Sequence, residues 1–328
     1  MNDNKFAYPT GALRARETSL IGKAKINIFL DAESPQDLLR LLSETCYGDF
    51  ITEDSHAEDF EQILHLGFVR ECNFIKEITP EPNITNLFFM KFDFINAKGI
   101  AKSIFLKEEP LIIYEGIGLV SSEDMLSWAS GDSKAKLYPA LEGVWNGIIK
   151  DMKGIDTREI EIRFDKGYLH YALKKAETYR LLLDFYKCWI DLVNITSFLR
   201  YQKLSEDSSI LDPAFIYGGY LEKNRFRDLW KEEMIKGSDF TLRYKDILEN
   251  ALEEYIIENS LDILEKGRDN FLLGRLEAAK YLSFAPEPFY VYLLAREIEV
   301  RILRTLFVGK LNNMHKERIR NLLRMSYV

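Results

Sequence analysis

Cysteine is scarce in these 328 residues. Cys46, Cys72 and Cys188 are odd in number and far apart, which excludes both a disulfide framework and a Cys-x-x-Cys metal knuckle and fits a reducing, cytoplasmic setting. With only nine Pro and 18 Gly the chain has few breaks, which favours long helices over many short strands. Positive charge is in deficit, 44 Lys and Arg against 52 Asp and Glu for a net −8, so a dominant nucleic-acid role is disfavoured: phosphate neutralisation needs a basic face. Met1–Pro9 carries Asp3 and Lys5 and no apolar run, unlike a secretory signal. Of the most apolar stretches, Leu181–Leu199 is interrupted by Asp184, Lys187 and Asp191, and Leu111–Val120 is too short to cross about 30 Å of hydrocarbon. No membrane span is predicted.

Chemistry-bearing motifs are missing too. His56, His65, His170 and His315 include no pair at metal-ligand spacing. There is no Gly-x-Ser-x-Gly elbow, and Cys188 falls in an apolar seam where a thiol is inert. A phosphate-cradling Gly-x-x-x-x-Gly-Lys-Ser/Thr is absent. Gly116-Ile-Gly118-Leu119 lacks the third glycine of a dinucleotide turn and reads as a tight link between repeats. Asp54, Glu58 and Asp59 come nearest to a magnesium-diphosphate site, without its paired aspartates. We therefore predict no catalytic residue, cofactor or metal.

What is present is apolar surface, 47% hydrophobic and 13% aromatic, enough for a sizeable core. Three segments read as long buried helices. In Asn83–Lys107 the residues Leu87, Met90, Phe94, Ala97, Ala101 and Ile104 are spaced 3, 4, 3, 4, 3. In Leu181–Leu199 the stripe Leu181, Phe185, Cys188, Leu192, Ile195, Leu199 is widened by Trp189 and Val193, predicting enclosure on more than one side. From Pro288 to Leu311 it runs Val291, Leu294, Ile298, Ile302, Thr305, Gly309. Ser34 and Ser121 predict caps of short bracing helices, Leu38–Glu44 and Met125–Ala129. Tyr217-Gly218-Gly219-Tyr220 then departs from that pattern, leading into Phe226, Leu229, Trp230 and an apolar run from Ile247 to Leu264. The best strand candidate, Leu111–Tyr114, is four residues long, so the prediction is an all-α protein with little or no sheet.

The long helices share polar marks: Asp93-x-x-Asn96, Asp191-x-x-Asn194 and Glu299-x-x-Ile302, the last of each pair 98 and then 108 residues apart. They suggest three units of about a hundred residues, 1–110, 111–205 and 206–328. Arg14, Glu17, Asp93, Asn96, Asp191, Asn194, Glu299 and Arg304 stand inside apolar helices, where an unpaired charge is costly. They are read as structural ties fixing each repeat on its neighbour, against the alternative of a solvent-facing stripe. Residues 31–61 hold ten acids and one base, and the last 28 residues seven bases and one acid, either as separate acidic and basic rims or as two solvated faces.

The run Ala285-Pro-Glu-Pro288, Tyr292-Leu-Leu-Ala-Arg-Glu-Ile-Glu-Val-Arg-Ile-Leu-Arg304, Val308-Gly-Lys-Leu311 resembles the closing signature of the C subunits of V-type (A-type) ATPases, the family that includes the eukaryotic d subunit. Tyr8 followed by Arg14 and Glu17 is similar to its first helix. Ala12, Thr196 and Ile302 depart from the family pattern. The resemblance implies three pseudo-symmetric helical repeats forming a funnel, with no active site. It further implies a rotor part on the cytoplasmic face that couples the central-shaft subunits (D and F type) to the membrane rotor ring, so that ATP hydrolysis or synthesis is linked to ion movement. The other reading is an all-helical enzyme or a general helical scaffold. Asp54, Glu58 and Asp59 are the candidate partner contacts; the basic C-terminal segment either meets acidic partner or lipid groups or complements its helix end, the reading favoured here.

Overall fold

In a computed structural model describing residues 4–132, 136–232 and 234–328, two helices begin at the serines read as caps; Asp3 of the N-terminal stretch lies outside those residues. The Ser34 hydroxyl accepts the Asp37 N–H at 3.0 Å and that of Ser121 accepts the Asp124 N–H at 3.0 Å, satisfying donors a first turn leaves bare. The first helices are α1 (Asn4–Glu17), α2 (Lys23–Asp31), α3 (Pro35–Ser43), α4 (Phe60–Ile78) and α5 (Pro82–Leu106). There follow α6 (Ser122–Ala129), α7 (Pro139–Asp151), α8 (Thr157–Ala176), α9 (Arg180–Gln202) and α10 (Lys223–Leu229). The chain continues through α11 (Gly237–Phe240), α12 (Lys245–Glu258), α13 (Asp262–Arg275), α14 (Glu287–Leu311) and α15 (Lys316–Leu322). Among the described residues there is no strand; the fold is all-α.

The chain divides into two units, Met1–Pro82 with Ile235–Val328, and Asn83–Met234. The first is built around α14, in which 17 of 25 residues are buried, a helix apolar on nearly every face and so surrounded. Its main partner is α4, where Phe60 stacks on Phe307 with ring centroids 5.0 Å apart and planes within 5°. The apolar run from Ile247 to Leu264 is not one element. Asn259, at φ 54°, ends α12 in a left-handed cap and lets α13 fold back against it.

In the second unit α8 packs on both α7 and α9. An aromatic cluster fills it: Phe94 meets Phe164 edge-on at 6.4 Å, and Tyr168 meets Trp189 edge-on at 5.8 Å. The predicted seams of α5 and α9 are buried, except that Ile104 is 37% exposed and Leu181, Trp189 and Val193 are only part-buried. Leu111–Tyr114 is a loop, bent at Ile113 and Tyr114, and not a strand, and a side chain takes the place of a neighbouring strand.

Candidate functional site

That side chain is Asn96. Its Oδ1 accepts the N–H groups of Ile113 and Tyr114 at 3.1 and 2.9 Å, and its Nδ2 donates to the Tyr114 carbonyl at 2.9 Å. One turn earlier on α5, Asp93 accepts the Leu119 N–H at 3.0 and 3.1 Å and the Val120 N–H at 3.2 Å. Buried backbone must find partners, and a loop without a ladder finds them here in two side chains. On α9 the arrangement recurs: Asp191 accepts from Tyr220 and Leu221, each at 3.0 Å, while Asn194 accepts from Ile216 N–H at 2.9 Å and donates to the Ile216 carbonyl at 2.8 Å. Asp93, Asp191 and Asn194 are wholly buried and Asn96 nearly so.

Two glycines permit this approach. A Cβ on Gly118 would fall inside the van der Waals radius of Asp93 Oδ1, and one on Gly219 would collide in the same way with Asp191 Oδ1. Tyr217-Gly218-Gly219-Tyr220 thus supplies the same contact as Gly116-Ile-Gly118-Leu119, although Glu222, which precedes α10, makes no side-chain cap like those of Ser34 and Ser121.

On α14 the third acid, Glu299, accepts the Ile21 N–H at 2.6 Å and the Tyr47 hydroxyl at 2.9 Å. Ile302 has no amide to offer, and the wholly buried polar group one turn from Glu299 is instead Arg296, whose shortest bonds go to side chains rather than to loop backbone as those of Asn96 and Asn194 do. Its guanidinium bonds Glu299 at 2.7 Å, the Tyr292 hydroxyl at 2.8 Å and the Ser19 hydroxyl. Tyr292 in turn donates to Glu71 of α4 at 2.6 Å, and Arg16 of α1 holds Glu71 by two bonds of 2.8 and 2.7 Å. Burial pushes the Glu71 carboxyl up, but its bonds from Arg16 and Tyr292 and the charge of Arg296 hold it below the usual range. Burial likewise opposes the Arg296 charge, and the facing Glu299 carboxylate restores it and more. The Tyr47 and Tyr292 hydroxyls are pushed up, first by burial, so both stay protonated donors.

The remaining predicted positions are nearer the surface. Arg14 and Glu17 pair with each other at 2.8 and 2.7 Å, and Arg14 also donates to the carbonyls of Lys280 and Leu282 at 2.6 and 3.2 Å. Arg304 grips Glu61 of α4 on a half-exposed face. Asp59 accepts the His56 N–H at 2.8 Å and so starts a turn; Asp54 and Glu58 are exposed. The acidic and basic segments are not separate rims throughout, for Asp31 pairs with Lys316, Glu61 with Arg304, and Lys310 donates to the Leu30 carbonyl at 2.8 Å.

The sequence reading missed Glu71, Arg296, Tyr292, Tyr47 and Arg16. Tyr292, Arg296 and Glu299 lie four and three residues apart, one face of a helix, and that spacing was the available signal. A second missed cluster joins Asp269 of α13 to Arg301 at 2.7 Å and to Arg324 at 2.6 Å, with Arg301 also on Glu297 at 2.7 Å. Among the described residues no group of His, Cys, Asp and Glu is placed to hold a metal ion, and no helix is long and apolar enough to cross a membrane.

The family model described as ATP synthase (C/AC39) subunit matches residues 9–322. The chain belongs to this family. Its members are structural rather than catalytic parts of rotary ATPases. Among curated relatives, the C subunit of the V-type sodium ATPase of Enterococcus hirae is 25% identical over 320 residues, covering 96% of this chain and 97% of the relative. The C subunit of the A-type ATP synthase of Methanocaldococcus jannaschii is 25% identical over 346 residues, covering 97% and 86%. That of Desulfurococcus sp. is 24% identical over 335 residues, covering 97% and 90%. As a family member the chain is part of a membrane-associated V/A-type ATPase complex.

Proposed function

We propose that this chain couples the central shaft of its rotary ATPase to the membrane rotor ring. On this reading it sits peripherally at the cytoplasmic face, takes the central-shaft subunits (D and F type) on one surface and the ring on another, and passes torque between them with no chemistry of its own. Its three helical units, 1–110, 111–205 and 206–328, form a funnel around the shaft tip. The observation that carries the reading is the recurrence on α5, α9 and α14 of a buried carboxylate holding loop backbone. A torque-bearing part must not yield, and charge-assisted bonds inside close-packed interiors, which barely compress, supply stiffness.

Arg14, Glu17, Asp93, Asn96, Asp191, Asn194, Glu299 and Arg304 act here as structural ties. Asp54 and Glu58 are offered as partner contacts because their carboxylates are exposed, with Asp59 beside them. The test is size-exclusion chromatography of the chain with the two shaft subunits from the same source, with ATP hydrolysis assayed on every peak. An inactive joint peak, formed without nucleotide, supports the coupler. If the chain elutes apart from the shaft and also fails to bind the detergent-solubilised ring, the reading falls. Turnover in the chain's own peak would point to an all-helical enzyme instead.

A further inference from the structure

The three carboxylates hold their loops in a common register. Asp93 holds Leu119 and Val120, the two residues before Ser121, which precedes α6. Asp191 holds Tyr220 and Leu221, the two before Glu222, which precedes α10. Glu299 holds Ile21, the residue before Gly22, which precedes α2. In the first two cases the held backbone follows the holding carboxylate by 26 to 30 residues, so the chain itself keeps loop and carboxylate together. In the third the held residue lies 278 positions upstream, and no short loop enforces the contact.

The segment so held, Asn4–Ile21, has a weak claim to order of its own. Its helix α1 contains Pro9 and Gly11 and no acid in the first turn. Its buried apolar side chains are Phe6, Leu13, Leu20 and Ile21. The other attachments are polar: Lys5 to Glu81, the Tyr327 hydroxyl to Glu17 at 3.4 Å, Thr10 Oγ1 to the Ser283 carbonyl at 2.8 Å, Arg14 to the Lys280 and Leu282 carbonyls, Arg16 to Glu71 and over the Phe74 ring, Ser19 to Arg296, and Ile21 to Glu299. The last two converge on one pair, Arg296 and Glu299, themselves bonded at 2.7 Å.

We propose that Arg296 and Glu299 form a latch for a strap, Asn4–Ile21, that opens as one unit while α4 and α14 stay folded. The latch does non-covalently for α14 what the following loop does covalently for α5 and α9. A segment joined to the rest by few apolar contacts and a polar clasp belongs to the least stable part of a fold, and opening it uncovers the Glu71–Tyr292–Arg296 cluster.

Hydrogen exchange on the full-length chain, followed by peptide mass spectrometry in rising sub-denaturing guanidinium, tests this. In the wild type, amides of residues 10–21 are expected to exchange at least about tenfold faster than those of 292–306, with a weaker dependence on denaturant. Glu299→Gln, which removes the charge from the clasp, is expected to speed residues 10–21 by about tenfold more and to leave 113–121 and 216–222 at wild-type rates. Asp191→Asn is expected to do the reverse, speeding 216–222 alone. The proposal is overturned if residues 10–21 of the wild type share the rate and denaturant dependence of 292–306, a comparison that stands even where a variant does not fold. It is also overturned if Glu299→Gln leaves 10–21 unchanged or speeds all three regions alike. Shaft binding plays no part in the readout, so the strap and the coupler fail separately.

Discussion

At the residue scale the account rests on carboxylates brought against backbone with no room to spare. Gly118→Ala and Gly219→Ala each place a methyl into a buried carboxylate and are expected to lower stability by about 1–3 kcal/mol, measured by guanidinium unfolding. Gly274→Ala, whose Cβ would meet open space inside α13, is the control and should be neutral or stabilising. Arg296→Met leaves Glu299 buried without its cation, while Glu71 keeps Arg16, and should cost about 3–5 kcal/mol, whereas a buried arginine of merely local importance would cost far less. The Asp-x-x-Asn pairs were legible because acid and amide recur inside apolar helices. Arg296 was legible only in part: Tyr292 and Glu299 lie at helical spacing from it on α14, but Ser19 and Glu71 are brought to it by tertiary contacts that no spacing on α14 reveals.

At the scale of elements, the three predicted long helices and the two serine-capped helices are found to within a few residues, because period and cap are local properties, whereas α4 and α8, of 19 and 20 residues, were not read from the sequence. The apolar run from Ile247 to Leu264 offered no boundary in sequence; a left-handed Asn259 divides it between α12 and α13, which pack on each other. Leu111–Tyr114, the best strand candidate in a sequence read as having little or no sheet, is a loop whose Ile113 and Tyr114 N–H groups are satisfied by Asn96. Asp269 supplies the pH prediction for the α13 to α14 junction. Burial alone would raise its carboxyl, but Arg301, Arg268 and Arg324 hold it well below the usual range. A depressed carboxyl contributes stability that is complete above its unfolded value, near 4, and is lost as pH falls toward the folded one. The melting temperature should therefore be flat above about pH 5 and drop below about pH 4. Asp269→Asn should lower stability at neutral pH by about 2–3 kcal/mol and make the acid limb shallower. An unchanged acid limb in that variant would show that the arginines do not act through Asp269.

At the scale of the whole molecule, composition and the absence of motifs removed most enzyme classes, and the closing signature pointed to the family the comparisons then showed. That signature has a physical reading. Tyr292, Arg296 and Glu299 face one polar cluster and Glu297 and Arg301 another, so the residues that mark the family are also those that anchor its last long helix. If the exposed acids of the 53–58 loop meet a partner, Asp54→Lys with Glu58→Lys should weaken rotor assembly at low salt and less so at high salt, as read by co-elution across a salt series. Assembly indifferent to that reversal at every salt would remove the contact. The central claim, coupling between shaft and ring, is tested most directly by adding the purified chain to shaft subunits and detergent-solubilised ring and asking whether all three leave a sizing column together. The account predicts one joint peak that forms only when the chain is present and in which the chain hydrolyses no ATP; a shaft and ring that co-elute equally well without it would contradict the claim.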